Sequence, residues 1–116
     1  MATWAQVARI MSGIATAVRA PGKREWRVAK KLAVWERPLR KSDLEALGEA
    51  APKGDVLGVY VPLEVKEQLL KTKKRYCFTT PHFDGYPYVL VHLQRAPVTA
   101  LRSLLVSGCD SRGAKR

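Results

Sequence analysis

A chain of 116 residues has room for one domain and one modest core. Its 47% hydrophobic and 27% charged residues are the balance of a globular chain and exclude a disordered one. Lysine and arginine number 21 against 10 acidic residues, a formal net charge of +11, and a field of that sign draws phosphate polymers or acidic partners.

The first helix is expected to start at Thr3, where Thr3 and Gln6 have capping-box spacing. Trp4, Val7, Ile10, Met11, Ile14 and Val18 recur at helical spacing, which predicts one helix ended by Pro21-Gly22. Glu25–Val28 and Lys31–Arg37 alternate in type and read as a hairpin. With Trp26, Val28, Leu32 and Val34 facing the core, the pleat sends Arg27, Lys31, Trp35 and Arg37 to the other face. Ser42 and Glu45 suggest a second capping box and a short helix to Gly48. Val56–Val61 reads as a buried strand, and Pro62 opens a helix through Leu63, Lys66, Leu69 and Leu70 to about Lys71.

Tyr76–Thr79 is a strand, and Thr80–Pro87 is too rich in turn residues to be regular. Tyr88–Leu93 is the clearest strand, with Val89, Val91 and Leu93 on one face and Tyr88, Leu90 and His92 on the other. Pro97 opens a last helix carrying Val98, Leu101, Leu104 and Leu105. Residues 107–116 lack apolar periodicity and read as a flexible polar tail behind a domain of residues 1–106. The order α-β-β-α-β-α-β-β-α predicts an α+β fold with one mostly antiparallel sheet packed with helices.

No apolar stretch approaches the ~20 residues of a membrane helix, and no leader pattern opens the chain. Cys77 and Cys109 form no disulfide framework and no zinc-ligand spacing, so a reduced cytoplasmic setting is expected. The charge is segregated along the chain: residues 1–42 carry +8, residues 43–69 carry −4 and residues 70–116 carry +7.

Three segments together resemble the MmcQ/YjbR family in its actinobacterial branch. They are Trp26–Val28 with Trp35–Asp43 (WERPLRKSD), Leu57–Val59 (LGV), and Phe78–Val91 (FTTPHFDGYPYVLV). The resemblance runs from Met1 to about Leu105. It implies a compact fold similar to a double-wing DNA-binding domain and to secretion chaperones, and it brings no catalytic residues. It also implies more helix beyond Leu105, which the glycine-broken tail of this chain replaces, leaving apolar surface open to a dimer partner.

The candidate nucleic-acid contacts are Lys23, Arg24, Arg27, Lys30, Lys31, Arg37, Arg40 and Lys41 around the hairpin, with Trp35 placed to stack on a base. Lys71, Lys73, Lys74 and Arg75 form a second cationic run, suited to the tip of a wing. The function expected depends on these two segments merging into one positive surface. Pro81, His82, Phe83, Asp84, Gly85 and Tyr86 form a structural turn, with Asp84-Gly85 supplying its backbone and Phe83 and Tyr86 pinning it to the core. His82 and Asp84 lack the third group that catalysis or a metal needs, so no cofactor, metal or catalytic residue is assigned. The expected protein is a non-enzymatic DNA-binding module, monomeric or weakly dimeric, that takes DNA before RNA and binds no membrane. The alternative is a protein-interaction module with an acidic partner.

Overall fold

The expected cap forms at the first helix. In the computed structural model, which describes residues 2–113, the Gln6 N–H donates to the Thr3 hydroxyl and the Thr3 N–H donates to the Gln6 side chain. Helix α1 (Trp4–Ser12) is shorter than its apolar spacing predicts. The Gly13 N–H closes onto Ile10, and the chain turns twice more before Ala17–Arg19 pairs as strand β1. Val18, expected on the buried stripe of the helix, is instead 68% exposed on an edge strand. One period-3.6 pattern had absorbed two elements.

Strands β2 (Glu25–Val28) and β3 (Lys31–Glu36) form the predicted hairpin. Ala29 and Lys30 hold φ of 52° and 67°, so both central residues of the two-residue turn are left-handed, which suits the twist of the strands. The register slips by one residue: Trp26 faces Val34, but Arg27 faces Leu32, so Ala33 is an extra, bulged residue. Cross-strand partners share a face. The bulge therefore moves Leu32 to the side of Arg27 and Trp35, and Lys31 to the side of Val28, the reverse of simple alternation for those two.

Helix α2 (Lys41–Leu47) takes Arg40 rather than Ser42 as its N-cap, two residues earlier than expected. Its cap is the Asp43 carboxylate, which accepts the Arg40 N–H at 2.9 Å. Strand β4 (Val56–Tyr60), helix α3 (Leu63–Thr72) and strands β5 (Cys77–Phe78) and β6 (Tyr88–His92) follow where the sequence places them. The six strands form one antiparallel sheet in the order β1-β2-β3-β4-β6-β5.

Both faces of the sheet are covered. Val34, Leu57, Val59, Val89, Val91 and Leu93 belong to the main core under α1 and helix α4 (Val98–Gly113), with Leu69 and Leu70 of α3 packed against it. Val56, Leu90 and Phe83 form a smaller cluster on the other face, with Trp35, Leu39, Phe78 and Tyr88 against it. The alternation read for β6 thus separates the two cores correctly.

Helix α4 corrects the expected tail. It continues through Gly113, and Leu101, Leu105 and Cys109 are at most 1% exposed; residues 114–116 lie outside the described residues. Each such leucine contributes about 1.5–3 kcal/mol by leaving water. Gly108 does not break the helix. A Cβ there would sit 2.6 Å from the Tyr60 carbonyl oxygen, so its bare backbone lets the helix touch β4. Arg112 then reaches the sheet end, donating to the Leu32 carbonyl at 3.1 Å and the Tyr88 hydroxyl at 3.0 Å, with its guanidinium 4.3 Å from the Tyr60 ring centre. The face expected to lie open is covered. The two thiols are buried, and desolvation pushes Cys77 up to about 12 and Cys109 up to about 11.

Candidate nucleic-acid interface

The two basic segments fold to different places. The hairpin strand β2 is second in the sheet and β5 is sixth, so four strand spacings of ~4.8 Å, roughly 19 Å, separate them. The hairpin tip at Lys30 and Lys31 lies at one end of the strands. The Lys71–Arg75 connection enters β5 at the opposite end, beside His92. Residues 23–41 and 71–75 therefore make two positive regions, and the expected reading, which depended on one continuous surface built from both, fails in that form.

The hairpin residues are dispersed as well. Lys23, Arg24, Arg27, Lys30, Lys31, Arg40 and Lys41 are exposed. Arg24 pairs with Glu36 at 3.1 Å and lies over Trp4, while Arg27 pairs with Glu25 at 3.0 Å. The Ala33 bulge turns Lys31 away from Arg27. Arg37 is no surface contact: it is 6% exposed, bonds the Pro38 carbonyl and the Asp43 carboxylate, and stands over the Phe83 ring. Burial pushes the Asp43 carboxyl up, but the Arg40 N–H and the Arg37 guanidinium outweigh it and hold the group below its ordinary value. Trp35 packs edge-on to Tyr88 at 5.1 Å and against Phe83 at 6.2 Å, so most of its ring serves the second core.

The distinctive loop is a built turn. Pro81–Phe83 makes one 3-10 turn, and the Tyr86 N–H donates to the Phe83 carbonyl across Asp84 and Gly85, whose φ of 79° a side chain would resist. Phe83 pins the turn to the core as expected, but Tyr86 does not, being 59% exposed. The second anchor is Lys66, which the sequence places in an apolar stripe. It is 5% exposed, and its ammonium donates to the carbonyls of Phe83 at 2.6 Å and Tyr86 at 2.9 Å. Desolvation lowers its pKa. His82 and Asp84 are exposed, with the His82 ring resting edge-on to Phe83. Among the described residues no three of His, Cys, Asp and Glu gather as a metal site requires.

A different cationic site appears at the end of the sheet where Lys71–Arg75 enters. There the segment after α2 borders a cleft of about 580 Å³. It is lined by Phe78 and His92, which share one face of the sheet and form its floor, and by Lys53, Lys74, Arg75, Arg95 and Glu49. Lys71 and Lys73 are exposed on the adjoining turn of α3. Among the described residues, none of Lys53, Lys74, Arg75 and Arg95 has a carboxylate within 4.0 Å. Burial, and then the charge of Arg95, lower the pKa of His92, which favours its neutral ring. Lys53 and Arg95 were missed by sequence reasoning, because each is a lone cation in a turn and only the fold brings them beside Lys74 and Arg75.

Three curated relatives match: the uncharacterized proteins Rv2570 and MT2646 of Mycobacterium tuberculosis and Mb2600 of Mycobacterium bovis. Each is 53% identical over 110 residues, covering 90% of this chain and 84% of the relative. The chain belongs to the family of these mycobacterial proteins. No family model matches the chain, and no solved structure matches it. No helix among the described residues is long and apolar enough to cross a membrane.

Proposed function

We propose that this protein is a non-enzymatic module of the MmcQ/YjbR kind that binds nucleic acid, DNA before RNA, through phosphate contacts at the β5 end of the sheet. The observation that carries this reading is the convergence of Lys53, Lys74, Arg75 and Arg95 on one cleft without a carboxylate partner among the described residues. Four hydrated cations held close together repel one another, and a phosphate chain relieves that repulsion while releasing its own counterions. Lys71 and Lys73 extend the strip along α3, and the separate hairpin cations supply a weaker, second region.

Anisotropy titration of a labelled DNA duplex tests this. Binding at low salt is expected to weaken with a log–log salt slope of about −3 to −4, as three to four phosphate contacts require. Lys74→Ala with Arg75→Ala should flatten the slope by about 1–2, and Lys30→Ala with Lys31→Ala by less. Absence of binding at low salt refutes the reading.

The second reading, docking of another protein with no nucleic-acid role, is favoured by β1. This strand is the outer edge of the sheet, with Val18 68% exposed and Arg19 beside it. A concentration-dependent mass in light scattering would support it; a monomer at all concentrations that still binds DNA would count against it.

A further inference from the structure

We infer that the cleft takes one nucleotide unit, with its phosphate on the rim cations and its base against Phe78 and His92, supplied either as a free nucleotide or as the end of a single strand. The inference deepens the proposed function and shares its phosphate chemistry.

Size is the first argument. A cleft of about 580 Å³ falls within the roughly 300–1,000 Å³ of small-ligand sites, whereas a surface that only tracks a duplex backbone needs no such depth. The second argument is the floor. Phe78 pairs with Leu90, and His92 stands two residues beyond Leu90, so both rings project on the same face of the sheet. Both are half-buried and line the cleft. Rigid aromatic faces stack on bases of any identity. His92 adds a second flat ring to this floor.

The third argument is the arrangement of charge. Lys53 follows Pro52, Lys74 and Arg75 precede β5, and Arg95 follows β6, so cations enter from three separate segments around one aromatic floor. Glu49 is the sole carboxylate among the lining residues and offers an acceptor to a ribose hydroxyl or an exocyclic amine. Simple anion capture needs only the cations. Beyond the packing of Phe78 on the second core, the open part of this floor and the acceptor add contacts when a base and sugar accompany the phosphate. In a duplex the base faces are already stacked, so the unit must be free or terminal.

The test is a two-dimensional NMR titration of the full chain at low salt with adenosine monophosphate, ribose 5-phosphate, inorganic phosphate and a short single strand with and without a 5′-phosphate. Adenosine monophosphate should bind at least tenfold tighter than inorganic phosphate and move the signals of His92 and Phe78. Lys53→Ala with Arg95→Ala, both exposed positions, should weaken it tenfold or more, while Arg102→Ala, an exposed cation on α4, should leave it unchanged. Phe78→Leu should remove the preference for nucleotide over ribose phosphate; if that variant does not fold, the His92 shift in the natural chain decides. A phosphorylated strand binding more tightly than the mononucleotide identifies a strand end, and equal binding identifies the free nucleotide. Equal affinity for all phosphates, or silence at His92 and Phe78, overturns the inference. DNA binding that persists without these shifts leaves the proposed function standing alone, and nucleotide binding without any DNA binding does the reverse.

Discussion

The two faces of the sheet are held by different means. Under α1, α3 and α4 the contacts are almost wholly apolar, and the helices cross close enough for Gly108 to touch β4. Under α2 the apolar cluster is small, and polar groups complete it: the Arg37–Asp43 pair at 3.0 Å and the Lys66 ammonium on two loop carbonyls. The first face is held by apolar area, while the second depends on a few directional contacts, so single substitutions should weaken the two differently. The cleft opens on the second face, lined by Phe78 and His92.

The largest expected effect comes from splitting the buried pair. Arg37→Leu leaves the Asp43 carboxylate without its guanidinium and should cost about 3–5 kcal/mol in urea unfolding. Replacing both partners, Arg37→Met with Asp43→Leu, should restore most of that; a double variant no better than the single one would mean that shape rather than charge holds this face. Lys66→Met should cost about 2 kcal/mol by removing two charged hydrogen bonds. Amide exchange should then quicken at Tyr86, whose turn the lysine clamps, while the main core stays protected. Gly108→Ala should cost about 1–3 kcal/mol, since the Tyr60 backbone must move to admit a methyl group. A neutral outcome there would show that the first face yields as readily as the second.

Acid should expose the same contrast with the smallest effects. His92 binds its proton less readily folded than unfolded, so its contribution falls as pH drops below its ordinary 6.5. Asp43 is held below its ordinary 3.8, so the stability it gives is present above that value and lost as pH falls through its lower folded pKa. Melting curves should therefore show two acid steps, and the Arg37→Met, Asp43→Leu chain should lack the second. Both groups belong to the α2 side.

What the sequence disclosed was local. The Thr3–Gln6 cap, the hairpin, the alternation of β6 and the Asp84-Gly85 turn each depend on neighbours within a few residues. What it concealed depends on distant partners. Gly108 reads as a helix breaker until the Tyr60 carbonyl is seen beside it, and Val18 fits a helical stripe until β1 finds β2. Arg37 reads as a surface charge and Lys66 as a cation without a role in an apolar stripe, because their partners, Asp43 and the Phe83 and Tyr86 carbonyls, are joined to them by the fold alone. The candidate site was half visible: Lys74 and Arg75 stand out as a run, whereas Lys53 and Arg95 carry no local signal. The expected merger with the hairpin failed because strand order, not chain order, sets distance across a sheet.

Cys77 and Cys109 are held as sealed thiols, one on an edge strand and the other in the closing helix. With ionisation suppressed, neither is nucleophilic at neutral pH while the chain is intact. An alkylating reagent therefore acts as a clock for opening events. If Cys77 is tagged first, the edge of the sheet peels while the helix stays docked; simultaneous tagging means that the molecule opens as one unit.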